Sequence, residues 1–536
     1  MTTLHPAPDP GRLLSPLRVS RAYRNLMVGQ FASQTAIWVM TIAAQVLLVR
    51  RGESTLTIAL LQSAVTLPFL IFTIPSGVLA DLVSRRTVLI VTNIGAVCVG
   101  IALTVTCAVD QLSAGLLLAL TALLGLAWAV NAPSFAAAVP DIVAPQYLPS
   151  AGMLSSITFN AARVVGPAIG GFAIALLSPT LAFGLSTLGF LAFAISAMIS
   201  HVPSQLSASR RFIPALRTGF RHVANARAFR TTVFVTAAWF GCGGALFALL
   251  PVVALRELGL GAGEYGWVMA ALGGGAVVGT IVLAPVRRRV PGNQYVMLIM
   301  PVFAVCLIAI GFIHHPVVLY LILPITGAAW TAVGAVLLAQ SQMLLPAWVR
   351  ARGLAYYFMA SQGGMAVGAV LWGVVADRFS LTVALLVAGL AILPIWLVGL
   401  LGRLPEVTVI GVATGWPIGE IDIPDAHLER RAHVTVVWQV SDEAREEFLG
   451  AMRELRRSRR RTGARGWVLT NDVEDGNIFV ERWEVDSWHD HLEQHEIRQS
   501  PEDTEISDRV KGIVGPPIAI RHYFEVDVPA RGVDDL

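Results

Sequence analysis

The sequence predicts an all-α polytopic membrane protein, with twelve transmembrane helices in two six-helix halves, followed by a small α+β domain. Of its 536 residues, 55% are hydrophobic and 14% are charged, which is outside the range of soluble globular proteins. The charge is also unevenly distributed. Residues 403–536 hold 27 of the 35 acidic residues, whereas the preceding part holds 22 arginines and eight acids. The chain therefore divides into a basic membrane part and an acidic C-terminal part.

The membrane part consists of apolar runs, each long enough to cross a hydrocarbon core of about 30 Å at about 1.5 Å per residue. The runs cover residues 22–50, 56–80, 87–109, 112–138, 150–177, 179–201, 230–255, 265–286, 293–313, 316–342, 353–376 and 380–402. We therefore expect an N-terminal tail at 1–21, a first half at 22–201, a basic linker at 202–229, a second half at 230–402, a linker at 403–427, a folded domain at 428–528 and a tail at 529–536.

The arginines predict the orientation, because loops on the cytoplasmic side are enriched in positive charge. With both termini inside, the cytoplasmic segments hold seventeen arginines and the outer ones hold only Arg50, Arg51, Arg256 and Arg378. Residues 1–20 also lack the apolar core and cleavage site of a signal peptide. The sequence thus predicts a multi-pass protein of the bacterial inner membrane with cytoplasmic termini. Within the basic linker, the apolar spacing over 212–223 predicts an amphipathic helix on the membrane surface.

The two sets of six runs are related by a shift of 202 positions, which superposes several landmarks without a gap. The matched pairs are Gly77 and Gly279, Arg85 and Arg287, Arg86 and Arg288, Gly125 and Gly327, Trp128 and Trp330, Gly166 and Gly368, and Gly171 and Gly373. A parallel repeat of two halves with the substrate path between them is a known transporter arrangement.

Residues 77–89 place one acid and two arginines between two apolar runs. We expect them to form a tight loop between two membrane helices. Gly77 lets the helix ends approach, and Asp81 can face Arg85, Arg86 or the free amides of the next helix. One interpretation is a latch between neighbouring helices in one access state. The alternative is an ordinary positive loop on the cytoplasmic side.

The spacing G-x-L-A-D-x-x-x-R-R-x-x-L resembles the loop signature of the major facilitator superfamily. The resemblance departs from the family pattern at Ser84, where glycine is usual, and at Leu82, where a basic residue is common. The second copy has Leu283 in place of Asp81. The resemblance implies the major facilitator fold, with alternating access between the two halves and a small molecule as substrate.

The fifth run contains a Pro- and Gly-rich stretch, residues 160–171, whose core is similar to the fifth-helix motif of exporters in this superfamily. Proline removes a helical hydrogen bond and glycines permit close helix contact. The residues of this motif are Arg163, Gly166, Pro167, Gly170 and Gly171. The resemblance implies export, and the alternative is a packing kink without a role in transport.

Arg163 is the ionisable side chain that lies well inside a predicted span, and such residues usually face a cavity or a partner. It is either a ligand or gating residue, or a structural anchor for backbone carbonyls. Polar side chains and a tryptophan in the spans are candidates for the substrate path, with interhelical packing as the alternative for each. They are Gln30, Gln34, Trp38, Asn131, Asn160, Gln340 and Gln362.

The C-terminal part predicts the element order β-α-β-β-α-β, which is the ferredoxin-like pattern. It resembles the small dimeric α+β barrels related to antibiotic-biosynthesis monooxygenases. Such a domain behind twelve helices is typical of the transmembrane secretion effector subfamily, to which the enterobactin exporter is related, and it implies a homodimer through this domain. His491 and His495 lie one helical turn apart, which suits either a metal pair or, as we expect, a solvated helix face. The basic run 456–461 is expected to meet lipid or the domain's own acids.

The sequence as a whole predicts an exporter of a small, largely apolar molecule, such as a siderophore, natural product or drug, with proton coupling implied by the resemblance. The expected partners are that substrate and the lipid bilayer, with no nucleic acid, no cofactor and no metal. An importer of the same fold is the first alternative. A membrane-tethered enzyme acting through the C-terminal domain is the second, but that domain carries no cofactor fingerprint and we expect no enzymatic activity.

Overall fold

The structure is a computed structural model that describes residues 13–203, 226–345, 349–400, 428–496, 498–499 and 501–525. The amphipathic helix predicted at 212–223, the linker at 403–427 and the two terminal tails up to residue 12 and beyond 525 lie outside these residues. The described residues fall into two compact units. The first unit contains the described residues within 1–210, 233–339 and 355–406. The second contains the described residues within 211–232, 340–354 and 407–536.

The first half begins with a short helix and continues with six long helices. They are α1 Ser15–Val19, α2 Arg21–Arg50, α3 Thr55–Leu82, α4 Arg85–Ala108, α5 Ala114–Ile142, α6 Leu148–Leu176 and α7 Pro179–Ile199. Serines define where four of these helices begin. Each accepts a hydrogen bond from a backbone N–H in the first turn of the following helix, and they are Ser20, Ser84, Ser113 and Ser178.

The second half repeats this pattern with additional breaks. Its helices are α8 Arg227–Pro251 with a π-helical continuation Val252–Glu257, α9 Ala262–Val282, α10 Ala284–Arg289, α11 Gly292–Ile310, α12 Pro316–Met343, α13 Arg350–Arg378, α14 Leu381–Leu390 and α15 Ile392–Leu400. The run predicted as one span at 380–402 is thus interrupted at Ala391. Pro394 explains the break, because its ring nitrogen cannot donate to the carbonyl of Leu390 one turn earlier.

Eleven helices within the described residues are long and apolar enough to cross a membrane, and Leu381–Leu397 is a shorter apolar segment. In the first half, α2 packs against α6 and α7, α3 against α5, and α4 against α5 and α7. In the second half, α11 packs against α14 and α15. The contact between α6 and α9 joins the two halves.

Equivalent glycines of the repeat make equivalent contacts. A Cβ on Gly166 of α6 would lie 2.5 Å from the Cβ of Trp38 on α2, and a Cβ on Gly368 of α13 would overlap the backbone oxygen of Gly241 on α8. Both glycines therefore let the fifth long helix of a half approach the first long helix of the same half. The shift of 202 positions found in the sequence corresponds to the same packing in the two halves.

The C-terminal unit contains a four-stranded antiparallel sheet. Its elements are β1 Ala432–Gln439, α16 Arg445–Thr462, β2 Arg465–Asn471, β3 Ile478–Val485, α17 Trp488–Glu496, α18 Pro501–Val514 and β4 Ala519–Phe524, and the strand order is β2-β3-β1-β4. Helix α18 was not predicted from the sequence. The other elements follow the predicted order β-α-β-β-α-β.

One sheet face packs against the helices, and strand alternation decides which residues it contains. Val434, Val436 and Trp438 of β1 are buried there beside Phe448. Ile478 and Val480 of β3 lie on the other face, where they pair with Gln439 and Val437, whereas their neighbour Phe479 enters the core.

Candidate functional site

A polar cavity lies inside the first half, between α2, α4, α5 and α7, and leaves room for about one water molecule. Three predicted path residues, Gln30, Gln34 and Asn131, line it together with Trp128. Sequence reasoning missed three further polar lining residues, which are Ser33, Thr92 and Asn93. The signal was present, because Asn93 is an amide in an apolar run in the same way as Asn131.

Hydrogen bonds position the side chains around this cavity. The Nδ2 of Asn93 donates to the carbonyl of Leu89 over 2.9 Å, and the Oγ of Ser33 is 3.5 Å from the Oδ1 of Asn93. The Nδ2 of Asn131 donates to the Oγ1 of Thr92 over 3.0 Å. The lining therefore combines neutral amides and hydroxyls with apolar side chains, and its polar groups can hold a small polar ligand without any titrating group.

The equivalent region of the second half is aromatic. The ring of Trp330 stacks on that of Trp239 with 5.6 Å between centroids, and Phe240, Phe247 and Phe303 surround it at 4.9, 5.4 and 5.6 Å. Trp330 is 5% exposed. This arrangement is a packed hydrophobic cluster with little capacity for polar recognition.

Arg163 on α6 reaches towards that cluster in the other half. Its guanidinium carbon lies 5.4 Å from the ring centroid of Phe247, which is the distance of a cation–π contact. Three residues earlier on the same helix, Asn160 donates to the carbonyl of Ser156 over 2.9 Å. Arg163 therefore contacts the second half directly, whereas Asn160 bonds within its own helix.

The glycines of the α6 motif lie at helix crossings. Gly166 faces Trp38, and a Cβ on Gly170 would lie 3.0 Å from the Cα of Val39, so both pack on α2. A Cβ on Gly171 would lie 2.7 Å from the Cα of Gly266 on α9, in the second half. Pro167 lies within the helix between these contacts. The motif thus holds α6 against both halves at once.

The loop between α3 and α4 is shorter than predicted, because α3 continues to Leu82 and α4 begins at Arg85. Gly77 and Asp81 belong to the last turns of α3, and their side chains lie outside the described residues. The guanidinium of Arg85 forms an ion pair with Asp141 of α5 and donates to the carbonyl of Ala137 over 3.0 Å. Sequence reasoning missed Asp141 as a partner of Arg85.

Arg86 makes a separate contact. Its guanidinium donates to the carbonyls of Ala197 and Met198 at the end of α7, the former over 3.4 Å. Together the two arginines tie the start of α4 to the ends of α5 and α7. We call this end of the bundle, which also holds Arg21 and Arg24, the arginine-rich end.

The halves are in close contact at the opposite end. Residues 39–48 of α2 and 243–254 in and after α8 are all buried, so the helices are enclosed on every side there. The hydroxyl of Tyr265 donates to the Oε1 of Gln45 over 2.8 Å, and Arg256 donates to the carbonyl of Glu53. Both bonds join the second half to the first. This end of the membrane unit is therefore closed.

The remaining predicted path residues are distributed over three helices. Trp38 on α2 is half-buried beside Gly166, and Gln362 on α13 is half-buried. Gln340 on α12 is 2% exposed. The structure therefore brings together Gln30, Gln34 and Asn131, and it does not place the other candidates in that cavity.

The expectation that His491 and His495 lie on a solvated helix face is wrong for His491. His491 is fully buried, not on a solvated helix face, because α17 packs this side against β4, and its ring lies 4.8 Å from those of His495 and His522. Burial, and then the two neighbouring imidazoles, lower the pKa of His491 to about 2. Within the described residues, no group of three His, Cys, Asp or Glu side chains has the arrangement to hold a metal ion.

Two arginines of the basic run, Arg459 and Arg461, pair with the domain's own acids. The Nε of Arg459 lies 3.2 Å from Glu481, both side chains being almost completely buried, and Arg461 pairs with Glu502 at 2.8 Å and with Asp503. Trp467 also donates to Glu481 over 2.8 Å. These pairs stabilise a folded core.

A family model described as transmembrane secretion effector matches residues 12–528. The multidrug efflux pump Tap of Mycobacterium tuberculosis and that of Mycobacterium bovis are each 26% identical to this chain over 402 residues. The match covers 70% of this chain and 91% of each pump.

Solved structures with the same fold include three transporters. A bacterial homologue of the human lysosomal transporter Spinster has a TM-score of 0.56 at 13% identity, covering 72% of this chain and 95% of its own. The nucleoside transporter NupG has a TM-score of 0.53 at 12% identity, covering 71% and 99%. The peptide transporter POT in complex with alafosfalin has a TM-score of 0.56 at 17% identity, covering 71% and 94%. At these identities the likeness shows the fold alone.

Proposed function

Because the chain belongs to the transmembrane secretion effector family of the major facilitator superfamily, we propose that it exports a small, largely apolar organic molecule across the bacterial inner membrane by alternating access. It is a multi-pass membrane transporter, not an enzyme. The export direction is supported by the Tap pumps, whose name describes multidrug efflux. The pairing of two halves through α6 and α9 is the observation that supports alternating access most directly.

The contacts between the halves support a specific access state. We place the arginine-rich end in the cytoplasm, with both termini, following the distribution of positive charge. With this orientation the bonds of Tyr265 and Arg256 lie on the outer side, and we infer a state that is closed there and faces the cytoplasm. An exporter in this state is ready to take its substrate from inside the cell.

We assign twelve crossings, with α14 and α15 forming the last one together. Their combined length is about that of the other spans, and an even number keeps both termini on one side. For substrate contacts we favour the half-buried side chains near the boundary between the halves, which are Trp38, Asn160, Arg163 and Gln362. We further propose that Asp81 at the end of α3 and Arg85 and Arg86 at the start of α4 form a latch for the cytoplasmic helix ends, and that transport is coupled to protons.

The C-terminal domain is assigned as a noncatalytic ferredoxin-like module that dimerises. Its strand order β2-β3-β1-β4 and its element order support this fold. The sheet face away from the helices carries Val437, Val480 and the half-exposed Val468, and Tyr523 at its edge is 48% exposed. A second copy can cover such a face.

The transport proposal is tested with inverted membrane vesicles that contain the protein. Acidifying the vesicle interior should drive uptake of lipophilic dyes, which corresponds to export from the cell, and collapsing the proton gradient should abolish it. The same vesicles with Arg163→Gln should take up less dye. Energised loss of dye from the vesicles would instead identify an importer.

The assignment of the domain is tested separately. Residues 428–528 expressed alone should be folded and dimeric by light scattering, and Val437→Glu with Val480→Glu should leave them folded and monomeric. A chain ending near Pro405 should still insert into the membrane. Turnover of a phenolic substrate by the isolated domain would contradict the noncatalytic assignment and favour a membrane-tethered enzyme.

A further inference from the structure

The polar cavity of the first half is separate from the boundary between the halves. Two of its four walls, α4 and α7, pack in the described residues against helices of their own half. Its interior accepts about one water-sized ligand, which is far below the size of an organic substrate. Whatever occupies it is therefore small, and it is held by one half alone.

The hydrogen bonds determine which atoms the amides leave for this ligand. A carbonyl only accepts, so the atom of Asn93 that bonds to the Leu89 carbonyl is its nitrogen. The hydroxyl of Thr92 donates to the Val88 carbonyl over 2.8 Å, so it accepts from Asn131, whose bonding atom is again the nitrogen. Each asparagine has therefore used one of its two N–H donors on a neighbouring protein group. Its side-chain oxygen still has acceptor capacity for a ligand in the cavity.

The spacing of the oxygens fits a cation. The hydrogen bond that the Oγ of Ser33 donates to the Oδ1 of Asn93 is long at 3.5 Å, because the usual O–H···O distance is about 2.5–3.0 Å. Cations of the size of Ca²⁺ hold oxygens at about 2.3–2.6 Å, so two ligands at a right angle lie roughly 3.3–3.7 Å apart. The two oxygens have the separation of neighbouring ligands on one ion.

The charge of the lining selects the class of ion. No acidic or basic side chain lines the cavity in the part of the chain that the structure describes, whereas Ca²⁺ and Mg²⁺ sites use carboxylates. Neutral oxygens are sufficient for a monovalent cation, as in potassium-channel filters. Trp128 also lines the cavity, and tryptophan attracts cations best among the aromatic rings.

We propose that this cavity is a site for a monovalent cation of the size of Na⁺. Its ligands are the side-chain oxygens of Asn93 and Asn131 and the hydroxyl of Ser33, with the amides of Gln30 and Gln34 completing the shell. The site lies in the first half and has no counterpart in the aromatic interior of the second half. It goes beyond the proposed export function, because binding of the ion requires neither a substrate nor a transport direction.

The test measures the melting temperature of the purified full-length protein in detergent while NaCl replaces choline chloride at constant ionic strength. A ligand that binds the folded state raises the melting temperature in a saturable manner. We expect this rise with Na⁺ and a weaker one with K⁺. The same curve with Na⁺ and choline would mean that the cavity holds an ordered water only, and would overturn the proposal.

Two variants with opposite expected responses distinguish a change in ion binding from misfolding. Asn131→Leu should abolish the response to Na⁺, and Asn131→Asp should tighten the half-saturating Na⁺ concentration about tenfold or more, because added ligand charge strengthens cation sites. Asn293→Asp is the matched control, since Asn293 lies at the start of α11 in the other half and its Oδ1 accepts from the backbone N–H of Gln294. An Asn131→Asp response equal to that of the parent or of Asn293→Asp would contradict the assignment.

Discussion

The interiors of the two halves differ most around the paired tryptophans Trp128 and Trp330. In the first half, Trp128 is half-buried, meets the ring of Phe69 at 4.8 Å and lines a cavity of neutral polar groups. In the second half, Trp330 is enclosed by four other aromatic rings. The tryptophan at this position of the repeat therefore lines a polar cavity in one copy and belongs to a hydrophobic cluster in the other.

The glycines explain why this divergence leaves the fold intact. Gly166 against Trp38 and Gly368 against Gly241 keep the same helix crossing in both copies. Helix positions are set by these close backbone approaches, and the interior side chains are free to differ. The repeat therefore keeps the spacing of the helices, whereas the chemistry of each half depends on the side chains between them.

The largest expected effect is on stability, at Trp330. Trp330→Ala removes a ring that is 5% exposed, and truncation of a buried tryptophan costs about 3–5 kcal/mol. Trp128→Ala should cost clearly less, because this ring is only partly buried and lies beside a cavity. Thermal unfolding in detergent measures both. Equal losses in the two variants would mean that the interiors are packed alike.

A second prediction concerns the ion pair of Arg85 and Asp141 in the first half. The side chains of Arg85 and Asp141 are 23% and 11% exposed, and the positions shifted by 202 hold Arg287 and Met343. Asp141→Asn should destabilise the protein by up to about 1.5–3 kcal/mol, because the carboxylate charge that strengthens the hydrogen bond from Arg85 is lost. It should also impair dye transport in vesicles.

The matched control for Asp141 is Asp110, which pairs with Arg51 at the opposite end of the bundle. The side chain of Asp110 is 93% exposed, and such surface pairs contribute about 0–1 kcal/mol. Asp110→Asn should therefore leave stability and transport close to the parent. If both variants lost transport to the same degree, the position of the pair at the arginine-rich end would have no special role.

A third prediction tests whether the glycine crossings are equivalent. Gly166→Leu and Gly368→Leu should each cost about 1–3 kcal/mol through overpacking and should hinder exchange between access states. Gly152→Leu on the same α6 is the control, because no atom lies within 4 Å of a Cβ placed there. Cysteine labelling from both sides, with and without substrate, measures the exchange. Unchanged labelling in Gly166→Leu would make the α6 motif a packing feature only.

Much of the membrane part could be predicted from local sequence. Span length and composition located the long helices, and glycines at a fixed offset indicated the repeat, because both signals need no knowledge of distant contacts. The interruption at Ala391 was also readable in principle, since Pro394 cannot donate within a helix. The prediction of one span at 380–402 rested on the apolar composition of the run and did not take this proline into account.

Contacts between distant residues could not be predicted in the same way. Asp141 lies 56 positions from Arg85, and no local pattern shows which acid an arginine meets. The same holds for Gln30, Gln34 and Asn131, whose polarity suggested the substrate path, but whose helices direct them into the first half. His491 looked exposed by its helical spacing, and its burial depends on β4, about thirty residues further along the chain.

The smallest expected effect is on the closed end, where the two copies use equivalent hydroxyls. The Oγ of Ser63 donates to the carbonyl of Ala366 over 2.8 Å, and the hydroxyl of Tyr265, 202 positions later, donates to Gln45 over 2.8 Å. Each bond joins one half to the other. A typical hydrogen bond contributes about 0.5–1.5 kcal/mol, so its loss should shift the population towards the state that is open at this end.

Tyr265→Phe and Ser63→Ala test this equivalence directly, because each removes one oxygen and leaves the packing unchanged. A cysteine at Ala262 in a cysteine-free background should be labelled up to about tenfold more in either variant, since about 1.4 kcal/mol corresponds to a factor of ten. The effect of Tyr265→Phe should be the larger one. It leaves the buried amide of Gln45, which is 4% exposed, without this donor, whereas the carbonyl of Ala366 belongs to a helix. A larger effect of Ser63→Ala would show that α3 and α13 control closure more than α2 and α9 do.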